Sequence, residues 1–336
     1  MTATCQRIVL ASRPTGPVTP GNFRLESAPV PEPAEGQVLV RVHYLSLDPY
    51  MKGRMMEVRS YAEPQALGET MVGGAVGVVE VSRDPKFTVG DTVVGSLGWQ
   101  ECCVTDGRNL MKVDTRSIPM SAYLGSVGMP GVTAWYGLNR ICEPKTGETV
   151  LVSAASGAVG SVVGQLAKAA GCRAVGIAGG PDKCRYVTSE LGFDACIDHR
   201  EHTEEKAMAR AIRAAAPNGV DCLFENVGGV CLDGALACMN PFGRIALCGL
   251  IAGYNGEDIA IHNVRHLLVM RLKVQGFIVS EHMDVWPQAL GELGRGVAEG
   301  KIRYRETVAE GLAAAPEAFI GMLKGRNFGK QLVKLA

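Results

Sequence analysis

TVLVSAASGAVGSVVGQLAKAAGCRAVGIAGG, Thr149–Gly180, decides the fold. A short apolar run (Thr149–Ser153) leads into Ala155-Ser156-Gly157-Ala158-Val159-Gly160, and a helical pattern follows over 157–170. Val159, Val162, Val163, Leu166 and Ala170 fall at i, i+3, i+4, i+7 and i+11, one continuous apolar face. Ala174–Ala178 reads as a second strand. The hexapeptide is G-x-G-x-x-G with alanine at its first position. A small residue there permits the strand-to-helix turn. Gly157 lets the backbone approach a pyrophosphate at the helix N-terminus, and Gly160 lets the helix pack closely on the strand. In a chain with 42 glycines among 336 residues a lone match would be weak. The strand–turn–helix context makes this one a dinucleotide site; the alternative is a tight turn in a ligand-free sheet.

The alternation continues downstream. Helices are expected over Arg185–Leu191, Glu204–Ala216 and Gly234–Met239, and strands over Ala195–Asp198, Asp221–Glu225, Gly243–Leu250 and Lys273–Val279. The class is α/β, with a doubly wound parallel sheet. An NAD-specific sheet usually carries an acidic residue about 20 positions past the loop, where it binds ribose hydroxyls. Here that point is Gly179-Gly180, and Lys183 and Arg185 follow Asp182. A 2′-phosphate is repelled by a carboxylate and held by an ammonium, so NADPH is favoured over NADH. Lys183 could equally be a solvated first-turn lysine, and Asp182 a cap for the next helix.

Upstream the texture is β. Gln37–Leu47 alternates Val38, Val40 and Val42 with Leu39, Arg41 and His43, while Gly73–Ser82 and Phe87–Ser96 add further strands. Short strands separated by Pro-rich spacers suggest a small, partly open barrel. The tail returns to strand-like runs at 302–308 and 330–335 around a helix at Ala313–Leu323, and is expected to rejoin the barrel. The expected division is therefore 1–125 with 301–336 as the barrel domain, and 126–300 as the nucleotide-binding domain. Ser117–Asn139 runs without a charge for 23 residues, but Pro119, Pro130 and four glycines make it a buried connector rather than a membrane span.

Lys+Arg and Asp+Glu are 34 each, which leaves no electrostatic footprint for nucleic acid or an anionic membrane. The eleven cysteines are scattered, lack any Cys-x-x-Cys, and follow no secretory signal. Free buried thiols in the reducing cytoplasm are expected.

LSLDPYMKGRM (Leu45–Met55), GMPGVTAWYGL (Gly128–Leu138), AASGAVGSVVGQ (Ala154–Gln165), GGPDKC (Gly179–Cys184), ENVGG (Glu225–Gly229), CGLIAGYN (Cys248–Asn255), QGFIV (Gln275–Val279) and KGRNFGK (Lys324–Lys330) run through nearly the whole chain. Together they resemble the zinc-free medium-chain dehydrogenase/reductases, in the NADPH-dependent alkenal, prostaglandin and curcumin reductase branch. GGPDKC followed by IDHR leans toward the curcumin-reductase-like members. The resemblance implies a GroES-like barrel domain and a Rossmann domain with the active site in the cleft between them, and a homodimer joined through the nucleotide-binding domains. It places Gly157, Ala158, Val159 and Gly160 on the pyrophosphate and Lys183 on the 2′-phosphate. Asn226, Cys248, Gly249, Phe277, Ile278 and Val279 would line the path from adenosine to nicotinamide, and Asn327 would reach NADP(H) from the returning segment. Many members carry tyrosine where this chain has His199. An imidazolium still suits a phosphate, but makes the contact pH-dependent.

No zinc site is expected. Asp48 stands where a catalytic ligand would be needed, no Gly-His-Glu follows, and Cys102-Cys103 cannot fill a tetrahedral site alone. His43 reads as a half-buried structural imidazole. Without a Lewis acid an isolated ketone lacks its electrophile, whereas an α,β-unsaturated carbonyl accepts hydride at its β-carbon and leaves an enolate that hydroxyl donors stabilise. The candidate donors are Tyr254, at a strand's carboxyl end and by resemblance facing the nicotinamide, and Tyr61, by resemblance closing the pocket from the barrel side. A ribose hydroxyl or water could deliver the proton instead, and each tyrosine could be a surface or packing residue. A quinone oxidoreductase and a non-enzymatic NADPH-binding protein are the alternative functions.

Overall fold

The computed structural model describes residues 4–254 and 256–336; Asn255, which ends the CGLIAGYN stretch, lies outside the described residues. The chain forms two compact units. One holds the residues up to Leu124 with Glu306–Asn327 and Gln331–Ala336, the other Gly125–Arg305 with Phe328–Lys330.

The first unit is built from β1 (Thr4–Leu10), β2 (Phe23–Pro29), β3 (Gln37–Ser46), β4 (Ala75–Ser82), β5 (Thr92–Gly95), β6 (Cys102–Asp106), β7 (Leu110–Lys112) and the short α1 (Tyr50–Met55). Val38, Val40 and Val42 are fully buried along β3. That strand pairs with both β4 and β6, which accounts for its deep burial.

The second unit opens with α2 (Met129–Tyr136), then β8 (Thr149–Val152), α3 (Gly160–Ala169), β9 (Arg173–Ala178), α4 (Pro181–Ser189), β10 (Ala195–Asp198), α5 (Glu205–Ala215) and β11 (Val220–Glu225). It continues through α6 (Gly229–Leu236), β12 (Met239–Leu247), α7 (Ile251–Tyr254), α8 (Val264–Val269), β13 (Lys273–Gly276) and α9 (Trp286–Ala298). The strands form a parallel sheet in the order β10-β9-β8-β11-β12-β13, the doubly wound Rossmann order. Both faces are covered at its centre, so β8 and β9 are almost wholly buried and read as largely apolar runs. Val150, Val152 and Phe224 pack on one face with Val162 and Val163 of α3; Leu151, Val175 and Leu223 pack on the other with Met208 and Ile212 of α5.

The tail adds β14 (Glu306–Glu310), α10 (Ala315–Leu323) and β15 (Lys330–Lys334). β15 pairs antiparallel with β3, Val333 opposite Leu45, and β14 lies beyond it, giving the barrel sheet β14-β15-β3-β4-β5-β7. This unit is the GroES-like barrel.

Several boundaries differ from the sequence pattern, each for a local reason. α3 starts at Gly160 rather than 157, because Gly157–Val159 form the loop itself. α4 starts at Pro181, not Arg185: Gly180 adopts φ +93° and Pro181 supplies the fixed first-turn φ. α6 starts at Gly229 rather than Gly234, entered through Gly228 and Gly229 at φ +83° and +54°. β12 covers Met239–Leu247 rather than 243–250. Pro241-Phe242-Gly243 lies within the strand, with Phe242 at φ +64° and a register shift against β11. The strand expected over 302–308 begins only at Glu306, since the Ile302 N–H is held by Gly296 O at 2.9 Å and its side chain joins the core.

Residues 117–139 form a 3₁₀ turn (Met120–Leu124) and α2, most of it buried. Among the described residues no helix is long and apolar enough to cross a membrane.

Candidate functional site

In this strand order the chain winds one way through β9 and β10 and the other way through β11 and β12, so the switch point lies between β8 and β11, where ligands of such sheets bind. The carboxyl ends of those two strands are joined there. Glu225 is fully buried, and its Oε1 accepts from Ser153 Oγ at 3.0 Å and from the Val227 and Gly228 N–H groups at 2.6 and 2.7 Å. Asn226 donates its Nδ2 to Ser153 O and its N–H to Ser153 Oγ, both at 2.8 Å. The Glu225 carbonyl accepts from Cys248 and Gly249.

The phosphate loop follows from Ser153. Ala154, at φ +50°, makes the sharp turn, and the Gly157 N–H donates back to Ala154 O at 2.9 Å. A Cβ on Gly160 would lie 2.4 Å from Ala154 O, which no side chain tolerates. The glycine is thus required by the approach of α3 to the loop. The loop and the N-terminal end of α3 are suited to a pyrophosphate. Gly329 forms a bridge beside Gly157, so the returning Phe328–Lys330 segment runs along the loop, next to Asn327 in sequence.

A cluster of cations occupies the end of β9. β10 pairs in register with β9, Asp198 opposite Ala178, and the Asp198 carboxylate accepts from the Gly180 and Arg200 N–H groups at 2.8 and 3.0 Å. Burial opposes its charge, but these two donors hold the carboxyl below its usual range. Asp198 thereby sets both His199 and Arg200 against the glycine pair. A Cβ on Gly179 would meet His199 Nε2 at 2.7 Å, and one on Gly180 would meet Arg200 Nη1 at 3.0 Å. Lys183 lies in the first turn of α4; burial, then Arg200, lowers its pKa. The pKa of His199 is lowered too, by partial burial of the imidazole and by Arg200 and Lys183, against Asp198 and Glu257. Arg200 disfavours the charge of both, and Lys183 that of His199, as expected of a pocket suited to an anion. Asp182 pairs instead with Arg185 on the exposed side of α4. Arg200 is absent from the sequence-based candidates; its relation to Gly180 depends on β9–β10 pairing, although its place beside His199 was a signal.

The remaining candidates differ in how they present themselves. Cys248 and Gly249 offer backbone, and burial, then Glu225, pushes the Cys248 thiol up to about 12. The Phe277 ring packs against Tyr136 and Phe224, and Val279 is buried, so a cofactor would meet the main chain of 277–279 rather than those two side chains. Tyr254 is half-buried and ends α7, whose Ile251 and Ala252 N–H groups donate to the carbonyls of Asn226 and Val227 at 3.1 and 3.0 Å. Tyr61, in the barrel unit, is 55% exposed and lies near Tyr50. His43 is half-buried, its pKa lowered mainly by burial.

Residues 6–113 match a family described as the N-terminal domain of oxidoreductase, and residues 158–295 one described as zinc-binding dehydrogenase. The chain is 46% identical to the NADPH-dependent curcumin reductase of Escherichia coli, over 98% of this chain and 97% of that one. It is 43% identical to the NADP(+)-dependent 2-alkenal reductase of Nicotiana tabacum, over 91% and 89%. The crystal structure of CurA from Vibrio vulnificus in complex with NADPH superposes with a TM-score of 0.91 at 44% identity, covering 98% of this chain and 99% of that one. One description names zinc, but the donor set here does not fit it. Among the described residues no group of three or more His, Cys, Asp or Glu side chains could hold a metal ion. Asp48 is buried and accepts from Ser46 Oγ, and burial pushes the Cys102 and Cys103 thiols up to about 12 and about 11.

The cation cluster makes a direct prediction. In the cofactor-free protein His199 titrates below the ordinary histidine value of 6.5, and Arg200→Gln raises it. NMR titration of the imidazole carbon-bound protons reads both. A midpoint at or above 6.5 that ignores Arg200→Gln would contradict the cluster.

Proposed function

The chain belongs to the medium-chain dehydrogenase/reductases, in the zinc-independent alkenal, prostaglandin and curcumin reductase branch, and we propose that it reduces the activated C=C bond of α,β-unsaturated carbonyls with NADPH. The observation that carries the cofactor reading is the Lys183–His199–Arg200 cluster at the end of β9, where an NAD-specific site would place a carboxylate. The chemistry is supported by the two relatives above, one named for curcumin and one for 2-alkenals.

Bound NADPH would supply a hydride to the substrate's β-carbon. Gly157, Ala158, Val159 and Gly160 would hold the pyrophosphate through the α3 N-terminus, and Lys183, His199 and Arg200 the 2′-phosphate. Asn226, Cys248, Gly249 and 277–279 would shape the path to the nicotinamide, with Asn327 approaching from the tail. The electron pair displaced from the C=C bond moves onto the carbonyl oxygen. Tyr254 would donate its Oη–H there; Tyr61 or water is the alternative donor. Addition of a proton at the α-carbon, from tyrosine, a ribose hydroxyl or water, completes the saturated carbonyl.

The protein is proposed to work as a homodimer in the cytoplasm. β13 ends the sheet with a single strand neighbour, Val274 on it is 42% exposed, and Val264, Leu268 and Val269 of α8 are exposed beside it in the same unit. An open sheet edge with exposed apolar side chains in the same unit calls for a cover. Light scattering at micromolar concentration is expected to give twice the mass of one chain; the mass of a single chain would refute the dimer.

The functional test is NADPH consumption with a simple enal, a chalcone-like enone, a 15-keto lipid and a quinone. Turnover with the enal or enones is expected; turnover of the quinone alone would overturn the reading. Tyr254→Phe should lower kcat on enones about 10²-fold, the usual effect of one lost donor to a developing oxyanion, with NADPH affinity little changed. Wild-type turnover in that variant would remove the role from Tyr254.

A further inference from the structure

Glu225 has a place in the site that the reaction does not use. It is fully buried, yet every hydrogen bond its side chain makes falls on one oxygen. Oε1 takes Ser153 Oγ and the N–H groups of Val227 and Gly228, while Oε2 is buried with no partner among the described residues. What Oε1 holds is the 226–228 turn, and that turn carries much of the site. Asn226 O and Val227 O receive the first N–H groups of α7, which ends in Tyr254, and the Glu225 carbonyl holds Cys248 and Gly249. Ser153, on the other side, is the residue from which the phosphate loop departs.

We propose that Glu225 is the positioning residue of the cofactor site: ionised, its carboxylate ties the 226–228 turn to the end of β8, and taking up a proton loosens that tie and weakens cofactor binding. This rests on the cofactor reading above. The reasoning is the chemistry of a carboxyl group with one engaged and one bare oxygen. A proton on Oε1 displaces its donors. A proton on Oε2 removes the charge that strengthens the three bonds, and leaves a buried O–H with nothing to accept it. The neighbours supply no compensating charge. The groups facing it are the Cys231 thiol on α6 and the Cys248 thiol after β12, both pushed up by burial and by Glu225 and hence neutral, and the Ser153 hydroxyl on the β8 side. Burial raises the Glu225 carboxyl to about 6 against the pull of its N–H and O–H donors, within reach of mild acid. A group that must be ionised for binding contributes fully above its pKa and is lost as pH falls through it.

The test is the Kd of acid-stable NADP+ for wild type and Glu225→Gln from pH 8 to pH 5, read as the ratio of the two. The ratio cancels titration of His199 and of the 2′-phosphate, which act in both proteins. Glutamine is the permanently neutral isostere, so the variant should bind at least about tenfold more weakly at pH 8, and the gap should shrink roughly tenfold by pH 5 as the wild-type carboxyl protonates. Ser153→Ala, which removes the one side-chain donor, should shift the wild-type acid loss to higher pH, and it serves as the test if Glu225→Gln fails to fold. A Glu225→Gln ratio that is the same at every pH would mean a merely structural carboxyl and overturn the proposal, as would a Ser153→Ala profile parallel to wild type. If neither NADP+ nor NADPH binds wild type at pH 8, the cofactor reading itself has failed.

Discussion

The hydrogen bond from Ser153 Oγ to Glu225 Oε1 crosses the one place in the sheet where the chain reverses its winding direction. The connections leaving the two strands at such a point turn to opposite faces of the sheet, and the gap they open outside the carboxyl ends is what makes an open α/β sheet a binding site. Beyond the last ladder bond, from Ser153 N–H to Phe224 O at 3.1 Å, side chains must hold the gap. Here a buried carboxylate does so. The carboxylate takes the N–H groups of the 226–228 turn, while the backbone carbonyl of the same residue takes the 248–249 turn and the carbonyls of Asn226 and Val227 take the start of α7. The 154–160 loop, the 248–249 turn and the start of α7 are thus tied together through the contacts of Ser153 with Glu225 and Asn226.

A second constraint sits at the far end of the same crevice. Two glycines replace the acidic residue expected after β9, and Asp198 is turned to the backbone, accepting from Gly180 and Arg200 rather than facing outward. The nearest carboxylate in sequence, Asp182, is neutralised on the exposed face by Arg185. The charge left around the glycine pair is therefore positive, and glycine is what lets imidazole and guanidinium come so near the main chain. Specificity for a phosphate over a hydroxyl follows from the absence of one side chain as much as from the presence of three.

Much of this was legible in the sequence because it is local. Strand, loop and helix at 149–170 are contiguous, and a six-residue glycine pattern with a 3.6-residue apolar period needs no tertiary knowledge to read. Lys183 follows by counting. The boundaries that shifted are those where glycine or proline has two meanings. Pro181 starts a helix that the pattern places at Arg185, and Pro241-Phe242-Gly243 sits inside a strand that the pattern starts at Gly243. The residues that escaped are those whose partners are remote. Glu225 meets Ser153 across 72 positions and Asp198 meets Gly180 across 18. Arg200 gains its meaning only when β10 docks beside β9.

The central claim is that the β9 end selects a 2′-phosphate, and parallel Kd measurements for NADPH and NADH between pH 6.5 and 9 test it most directly. Each charged contact is worth about 1.5–3 kcal/mol, so two or more imply a preference of roughly 10²- to 10⁴-fold. His199 gains a partner on binding, so its pKa rises in the complex; its share is complete below the free value and fades as pH climbs through the raised one. The account predicts an NADPH preference that narrows as pH rises, while NADH shows no such trend. Equal affinity for the two cofactors would contradict it.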